Sequence, residues 1–414
     1  MMKLNTILAG IAILLLLLTL PAAASDYTLE VFGNANEDDT INMQDVTYTE
    51  LIILEYRDKT DLADAKYDYK INMQDVTQIE LVILGKEKEL TLVDTDERIV
   101  TVEKPITSIA CTISHLVETL RSIDVEKSMI VGLTDGTIQS TSYFPEFGDV
   151  TSIGSSFGSI DVEMVVVLNP DIVLIHPTTR GVGTAQVVKK LEAAGITVYC
   201  SRTNIPTTYV EEIIKLGYIF GKRDEADEFI DFYNGFLNSI GETVDDIPDE
   251  DKLKVYSEYD SYAIGSKDEY PVTLAGGKSI FAGLPSGEVD PEAVATSNPD
   301  VIVCIVTDEA DARVAGDTAT LVEARTEIMG RPILQNVAAV TNKRVYVITS
   351  PFWPYLPHSG CRHFIGVGYL AKWFHPELFG DLDPEAIHQE YLTEFQGLDY
   401  DLSEHGVFVY PPPE

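Results

Sequence analysis

The sequence predicts an α/β protein, with two Rossmann-like lobes joined by a single long helix and preceded by a small all-α module. Three observations predict it. From residue 89 onward short β-rich apolar runs alternate with helical patterns, the sign of largely parallel sheets covered by helices. Asp224 to Val244 places Ala226, Phe229, Ile230, Tyr233, Phe236, Leu237 and Ile240 on one helical face, with such alternation on both sides of it. Ile41 to Val46 recurs letter for letter as Ile71 to Val76, a duplicated unit near the start of the chain. The 414 residues exceed what one core absorbs, so several domains are expected.

Residues 1–24 read as a signal peptide. Lys3 precedes an apolar run from Ile7 to Leu20, and Ala22 to Ala24 suit signal peptidase. Cleavage after Ala24 is the expectation, with an uncleaved N-terminal anchor as the alternative. No cysteine stands near that boundary to carry a lipid. A formal net charge of -38 disfavours nucleic acid and anionic membrane as partners. The four cysteines have no CxxC spacing, so neither a zinc site nor a disulfide framework is indicated, though export would permit one disulfide.

The duplicated unit spans residues 30–88. Asn34, Asn36, Asp38, Asn42 and Asp45 occupy positions 1, 3, 5, 9 and 12 of an EF-hand-type loop, where alternate oxygen ligands converge on one Ca2+. A helical pattern follows from Thr47 to Tyr56. The second copy offers Asp64, Asp68, Asn72 and Asp75 before a helix from Thr77 to Leu84. It has Lys66 where an oxygen should be, an ammonium placed to stand in for the ion. Tyr69 takes the sixth position, where a left-handed backbone is needed, and Asp39 takes it in the first loop. Calcium is therefore expected in the first loop more than in the second. Loop-helix duplicates closing on Asp resemble dockerin modules. That resemblance implies a cohesin-domain partner recognised through the residues that open each helix, Met43, Gln44, Met73 and Gln74.

Residues 89–206 form the first lobe. Leu90 to Thr95 and Arg98 to Val102 read as an extended pair, then Ile106 to Cys111, Met129 to Leu133, Asp171 to Ile175 and Thr197 to Cys200 as strands. Helices are expected from Ser114 to Ile123 and from Gly183 to Ala194. Residues 207–245 are a helical segment whose long strut has Asp224 as its expected N-cap. At 1.5 Å per residue that strut is roughly 30 Å long, enough to join two lobes and to limit their closure to a modest rocking. Residues 246–414 form the second lobe, with strands at Lys254 to Ser257, Val301 to Val306 and Arg344 to Ile348 and a C-terminal helix.

The lobes share a motif. Asp161-Val162-Glu163 precedes Asn169-Pro170-Asp171 and a buried strand; Asp290-Pro291-Glu292 precedes Asn298-Pro299-Asp300 and another. Each Glu falls in the first turn of a short helix, where a carboxylate complements the dipole. Together with Leu216 to Lys222 and Gly368 to Pro376, this pattern resembles the substrate-binding proteins of ABC importers for iron-siderophore, haem and cobalamin, the class III helical-backbone family. The resemblance covers residues 90 to 395. It implies an extracellular, cell-surface protein that carries an iron chelate, with a corrinoid or haem as alternatives, and that docks on a membrane permease through Glu163 and Glu292.

Ligands of open α/β sheets sit beyond the carboxyl ends of the strands. Those ends carry Ser114, His115, Arg180, Arg202, Tyr259, Trp353, Tyr355 and Arg362, aromatics for flat ligands and guanidinium donors for carboxylates and hydroxamates. There is no HExxH, Walker or GxGxxG motif, so no enzyme is expected. A cell-surface scaffold or carbohydrate-binding component built around the dockerin-like module is the remaining reading.

Overall fold

The computed structural model describes residues 27–141, 143–155, 159–177, 184–259, 261–265, 269–306, 319–348, 360–403 and 408–412. It divides into two compact units, Met1–Val93 and Asp94–Glu414.

In the N-terminal unit, helices α1 (Met43–Ile53) and α2 (Met73–Ile83) pack on each other. Both begin earlier than the apolar pattern suggested. The cause is a capping box in each copy: Asn42 caps α1 and Asn72 caps α2, while Asp45 and Asp75 reach back to the cap's own amide. Strand β1 (Glu89–Val93) belongs to this unit, because Leu92 bridges Val31 and the Val93 amide donates to Glu30. The module thus ends at residue 93, not 88.

The C-terminal unit opens with β2 (Ile99–Glu103) and β3 (Ile109–Cys111), then α3 (Ser114–Ser122), β4 (Ile130–Leu133), α4 (Asp135–Gln139) and β5 (Thr151–Ser152). It continues through α5 (Val162–Leu168), β6 (Ile172–Ile175), α6 (Thr184–Ala193) and β7 (Thr197–Cys200). The first lobe's sheet runs β5-β4-β3-β6-β7, all parallel. Its core joins Ala110, Val165, Val173, Leu191 and Val198.

Helix α7 (Tyr209–Phe220) turns at Gly221, whose φ of 67° is left-handed, into the strut α8 (Arg223–Val244). The strut buries Ala226, Phe229, Tyr233, Phe236, Ile240 and Val244, the face read from the sequence. Its N-cap is Lys222 rather than Asp224. Close packing moves the start: a Cβ on Gly217 would lie 2.9 Å from Ala226, so α7 and α8 approach tightly and Asp224 falls within the first turn.

The second lobe comprises β8 (Leu253–Glu258), β9 (Ala263–Ile264), α9 (Glu269–Leu274), β10 (Gly277–Ser279), β11 (Gly287–Glu288), α10 (Pro291–Ser297) and β12 (Val301–Ile305). Then follow α11 (Ala319–Gly330), α12 (Ala338–Thr341), β13 (Val345–Ile348), α13 (His363–Phe374), α14 (Pro384–Glu390) and β14 (Val409–Tyr410). Its sheet runs β10-β8-β12-β13-β14, parallel except for β14. The short strands β5, β9, β10, β11 and β14 carry little apolar run of their own and are set by pairing. All four cysteines are free thiols.

Candidate functional site

Strand order places the site. In the first lobe β3 is followed by β4 on one side and β6 lies on the other, so the order reverses between β3 and β6. In the second lobe the reversal falls between β8 and β12. Such switch points leave a crevice beyond the carboxyl ends of the strands. At the first stand Ser114 and His115, which open α3, and His176, just past β6. The two imidazole rings are 6.4 Å apart, edge to face. At the second stands Tyr259, half-buried after β8, with its amide donating to the Ala263 carbonyl.

The predicted arginines are placed otherwise. Arg202 donates to the Thr95 carbonyl at 2.8 Å and to Asp96 at 2.7 Å, which ties the end of β7 to the start of the unit. Arg362 is only 3% exposed and lies 3.0 Å from Glu118. Glu118 accepts on that same oxygen from the hydroxyls of Tyr143 at 2.6 Å and Tyr391 at 2.8 Å. Burial opposes ionisation of Glu118, but Arg362 and the two hydroxyls outweigh it and hold the carboxyl below its usual range. Both guanidinium groups are thus engaged by the protein's own acceptors, Arg362 in the interior and Arg202 nearer the surface. Arg180, Trp353 and Tyr355 lie outside the described residues.

His115, Glu118 and Cys361 bring ligand-type atoms within 4.8 Å of one another. This trio does not suit a metal. The Arg362 cation already occupies the Glu118 oxygen, and burial pushes the Cys361 thiol well above its usual range, keeping it protonated. A separate concavity of about 480 Å³ involves Arg121, Asp124, Glu225, Glu394 and Gln396. It lies at the far end of α3 from His115, away from the strand ends.

Glu163 and Glu292 are both exposed in the first turns of α5 and α10. Asp161 and Asp290 cap these helices by accepting from Met164 and Glu292 amides. Asn169 and Asn298 end them in the left-handed region, at φ of 47° and 48°. Asp171 then accepts from Thr107 and Ser108 amides, and Asp300 from the Lys254 amide, so each lobe pins the motif to the neighbouring strand in the same way.

In the first loop of the N-terminal unit, Asn34 is fully buried and its Oδ1 has no hydrogen-bond partner. Asp45 accepts from the Asn36 and Asn42 amides, and burial, aided by Asp38, pushes its carboxyl up to about 6. An orphaned oxygen beside one carboxylate, Asp45, that resists ionisation fits a hard cation bound by Asn34, Asn36, Asp38, Asn42 and Asp45. The left-handed residue here is Glu37, at φ 59°, not Asp39. In the second loop Tyr67 and Tyr69 are left-handed, at 52° and 66°. Both Asp64 oxygens accept from the Asp68 and Tyr69 amides, and Asp75 accepts from Lys66 and Asn72. The Lys66 ammonium lies 3.6 Å from the Glu89 carboxylate, outside the loop.

Two parallel-sheet lobes with matched switch points, backed by one helix, define a two-lobed binding protein of the helical-backbone class. The chain belongs to the periplasmic binding protein family, whose model matches residues 109–351. It is 26% identical over 298 residues to YvrC of Bacillus subtilis (strain 168), an uncharacterized ABC transporter substrate-binding lipoprotein, covering 69% of this chain and 85% of that one. Among solved structures, the TroA-like periplasmic binding protein FepB of Veillonella parvula superposes with a TM-score of 0.61 at 24% identity, over 77% of this chain and 98% of that one. The molybdate-bound periplasmic binding protein MolA of Haemophilus influenzae gives 0.59 at 18%, over 75% and 99%. Helicobacter pylori CeuE with Ni(II) bound gives 0.55 at 18%, over 75% and 97%. At these identities the structures share the fold.

His176 and Glu118 were not legible as site residues. His176 ends an apolar strand in the sequence, but only strand order sets it opposite His115.

Proposed function

We propose that this chain is the substrate-binding component of an ABC importer, capturing an iron complex of siderophore type between its lobes and handing it to a membrane permease. The observation that carries the reading is the pair of switch-point crevices on one helical backbone, each lobe presenting an exposed carboxylate, Glu163 or Glu292, on a rigidly capped helix. Two well-separated charges orient docking on a permease more than they add affinity. Ser114, His115 and Tyr259 would face the cargo, with Arg180, Trp353 and Tyr355 as further candidates; Arg202 and Arg362 would shape the crevice from behind. A corrinoid or haem suits the same scaffold. The relative's naming as an ABC transporter substrate-binding lipoprotein supports the transport reading and a place at the cell surface.

The N-terminal unit supports a second role. Its first loop would hold Ca2+, and Met43 and Met73, 59% and 56% exposed at the starts of duplicated helices, would present near-identical faces to a cohesin-type partner on the cell surface.

Titration with ferric siderophores, haemin and cobalamin, followed by calorimetry and the ligands' visible absorption, tests the cargo. Saturable binding of one at micromolar concentration or tighter is expected. Binding of none would overturn the metal-complex reading and leave the scaffold or carbohydrate-binding alternative.

A further inference from the structure

The cavity of about 480 Å³ at the end of α3 remote from His115 opens between α3, the first turns of the strut and the segment 394–398. Small-molecule sites run from roughly 300 to 1,000 Å³, so it has room for one. Its wall includes a buried acceptor that no donor meets. Gln396 is 4% exposed, and its Nε2 donates to the Glu118 carbonyl at 3.2 Å and to Ser122 Oγ at 2.7 Å, which fixes the orientation of the amide. With Nε2 held against α3, Oε1 is left at the cavity wall, buried and without a hydrogen-bond partner. Such an acceptor is costly unless a ligand's donor reaches it.

The charge around the cavity is also out of balance. Glu146 answers Arg121 at 3.4 Å, and the Arg121 guanidinium is stacked 5.0 Å from the ring centres of Tyr143 and Phe144. Asp124 and Glu225 share the Lys222 ammonium, at 3.1 and 3.0 Å. Among the described lining residues this leaves Glu126, Glu228 and Glu394, all exposed, with Lys127 as the remaining cation. These carboxylates do not close on a single metal ion. Among the described residues, the three groups whose ligand atoms come within 4.8 Å of one another are His115, Glu118 and Cys361, none of which lines this cavity. Charges spread around a cavity match charges spread along a chain.

We propose that this cavity binds a linear aliphatic oligoamine. One ammonium donates to Gln396 Oε1, others meet Glu228 and Glu394, and the methylenes between them lie along Phe395 and Leu398, apolar surface that an inorganic cation cannot use. The site is separate from the cargo crevice and independent of what the crevice carries. Because α3 belongs to the first lobe and residues 394–398 follow the second, a bound oligoamine bridges the two beside the Glu118–Arg362 node and stiffens that joint.

The test uses the full mature chain in saturating calcium, so that the loop carboxylates of the N-terminal unit do not compete. Calorimetry at matched ionic strength compares spermidine with putrescine, which has one ammonium fewer, and with Mg2+. Saturable one-site binding of spermidine is expected, with weaker binding of putrescine and Mg2+ and a spermidine-dependent rise in melting temperature. The double variant Glu228→Gln with Glu394→Gln is expected to lose spermidine affinity at least tenfold. The double variant Glu103→Gln with Glu377→Gln, outside the cavity, is expected to stay within twofold of wild type. All four side chains are exposed, so folding is unaffected. Equal losses in the two double variants would mean that spermidine condenses on the acidic surface at large, and would overturn the inference. So would the absence of saturable binding, or Mg2+ binding as tightly as spermidine.

Discussion

Two buried glutamates show how the same residue type is set to opposite ends of its range. Glu118 is held ionised by Arg362, and its contribution to stability is present above its ordinary value of 4.5 and lost as pH falls below it. Glu118→Ala would remove the carboxylate that faces the buried Arg362 charge, a loss of about 3–5 kcal/mol that chemical denaturation at neutral pH would measure. A loss under 1 kcal/mol would contradict this. Glu212 is pushed the other way, up to about 7, chiefly by burial, with Lys215 only partly opposing it. The unfolded chain releases this proton near 4.5 while the folded chain keeps it to about 7, so the folded state binds more protons and stability falls as pH rises between them. The fall is of order 3 kcal/mol, and Glu212→Gln removes it. Lys215 keeps its ion pair with Glu211 in that variant. A pH-stability profile that still descends through this window would show another group to be responsible.

At the scale of elements, the strand-helix-strand motif occurs twice with the same joints. An aspartate caps the helix, an asparagine in the left-handed region ends it, and a second aspartate fastens the turn to the adjacent strand. Helices of seven residues are too short to stand alone, so these fixed ends make them rigid pedestals for Glu163 and Glu292. Charge reversal, Glu163→Arg or Glu292→Arg, is expected to leave cargo affinity within twofold and to reduce permease-dependent uptake at least tenfold. Both side chains are exposed, so folding is unaffected. Uptake equal to wild type would remove these residues from docking.

Across the whole molecule, the strut is not the sole tie between lobes. Arg362 and Tyr391, which follow the second lobe's β13, meet Glu118 in the first lobe's α3, and Gln396 donates to the Glu118 carbonyl and Ser122. A buried polar node of this kind adds to the helix in limiting closure. If the N-terminal unit tethers the protein to its cohesin-type partner on the cell surface, a chain that lacks this unit and begins its binding domain at Asp94 should bind cargo like the full chain and be lost to the medium. Equal retention of the two would exclude tethering. Calcium is expected to raise the melting temperature of the full chain, with affinity falling as pH drops through about 6, where Asp45 takes up a proton. Asp45→Ala should abolish the effect.

The sequence by itself determined what depends on local period and local chemistry. The strut's buried face, the duplicated loop-helix unit, the shared motif with its two glutamates and the longer strands were all legible, because side chains three, four or two positions apart fix which surface is apolar. Helix starts were less so: capping boxes moved α1 and α2 forward, and the fit of Gly217 against Ala226 moved the strut's cap to Lys222. Only the tertiary structure decided the partnerships. Glu118 meets Tyr391 across 273 residues, which takes Arg362 out of the expected ligand set, and Asp96 and Thr95 take Arg202. The order of strands, not their existence, sets His176 beside His115 and leaves Tyr259 at the second switch point. Pairing order is a long-range choice, made by how whole sheets and helices bury one another, and a run of residues carries no record of which neighbour it will find.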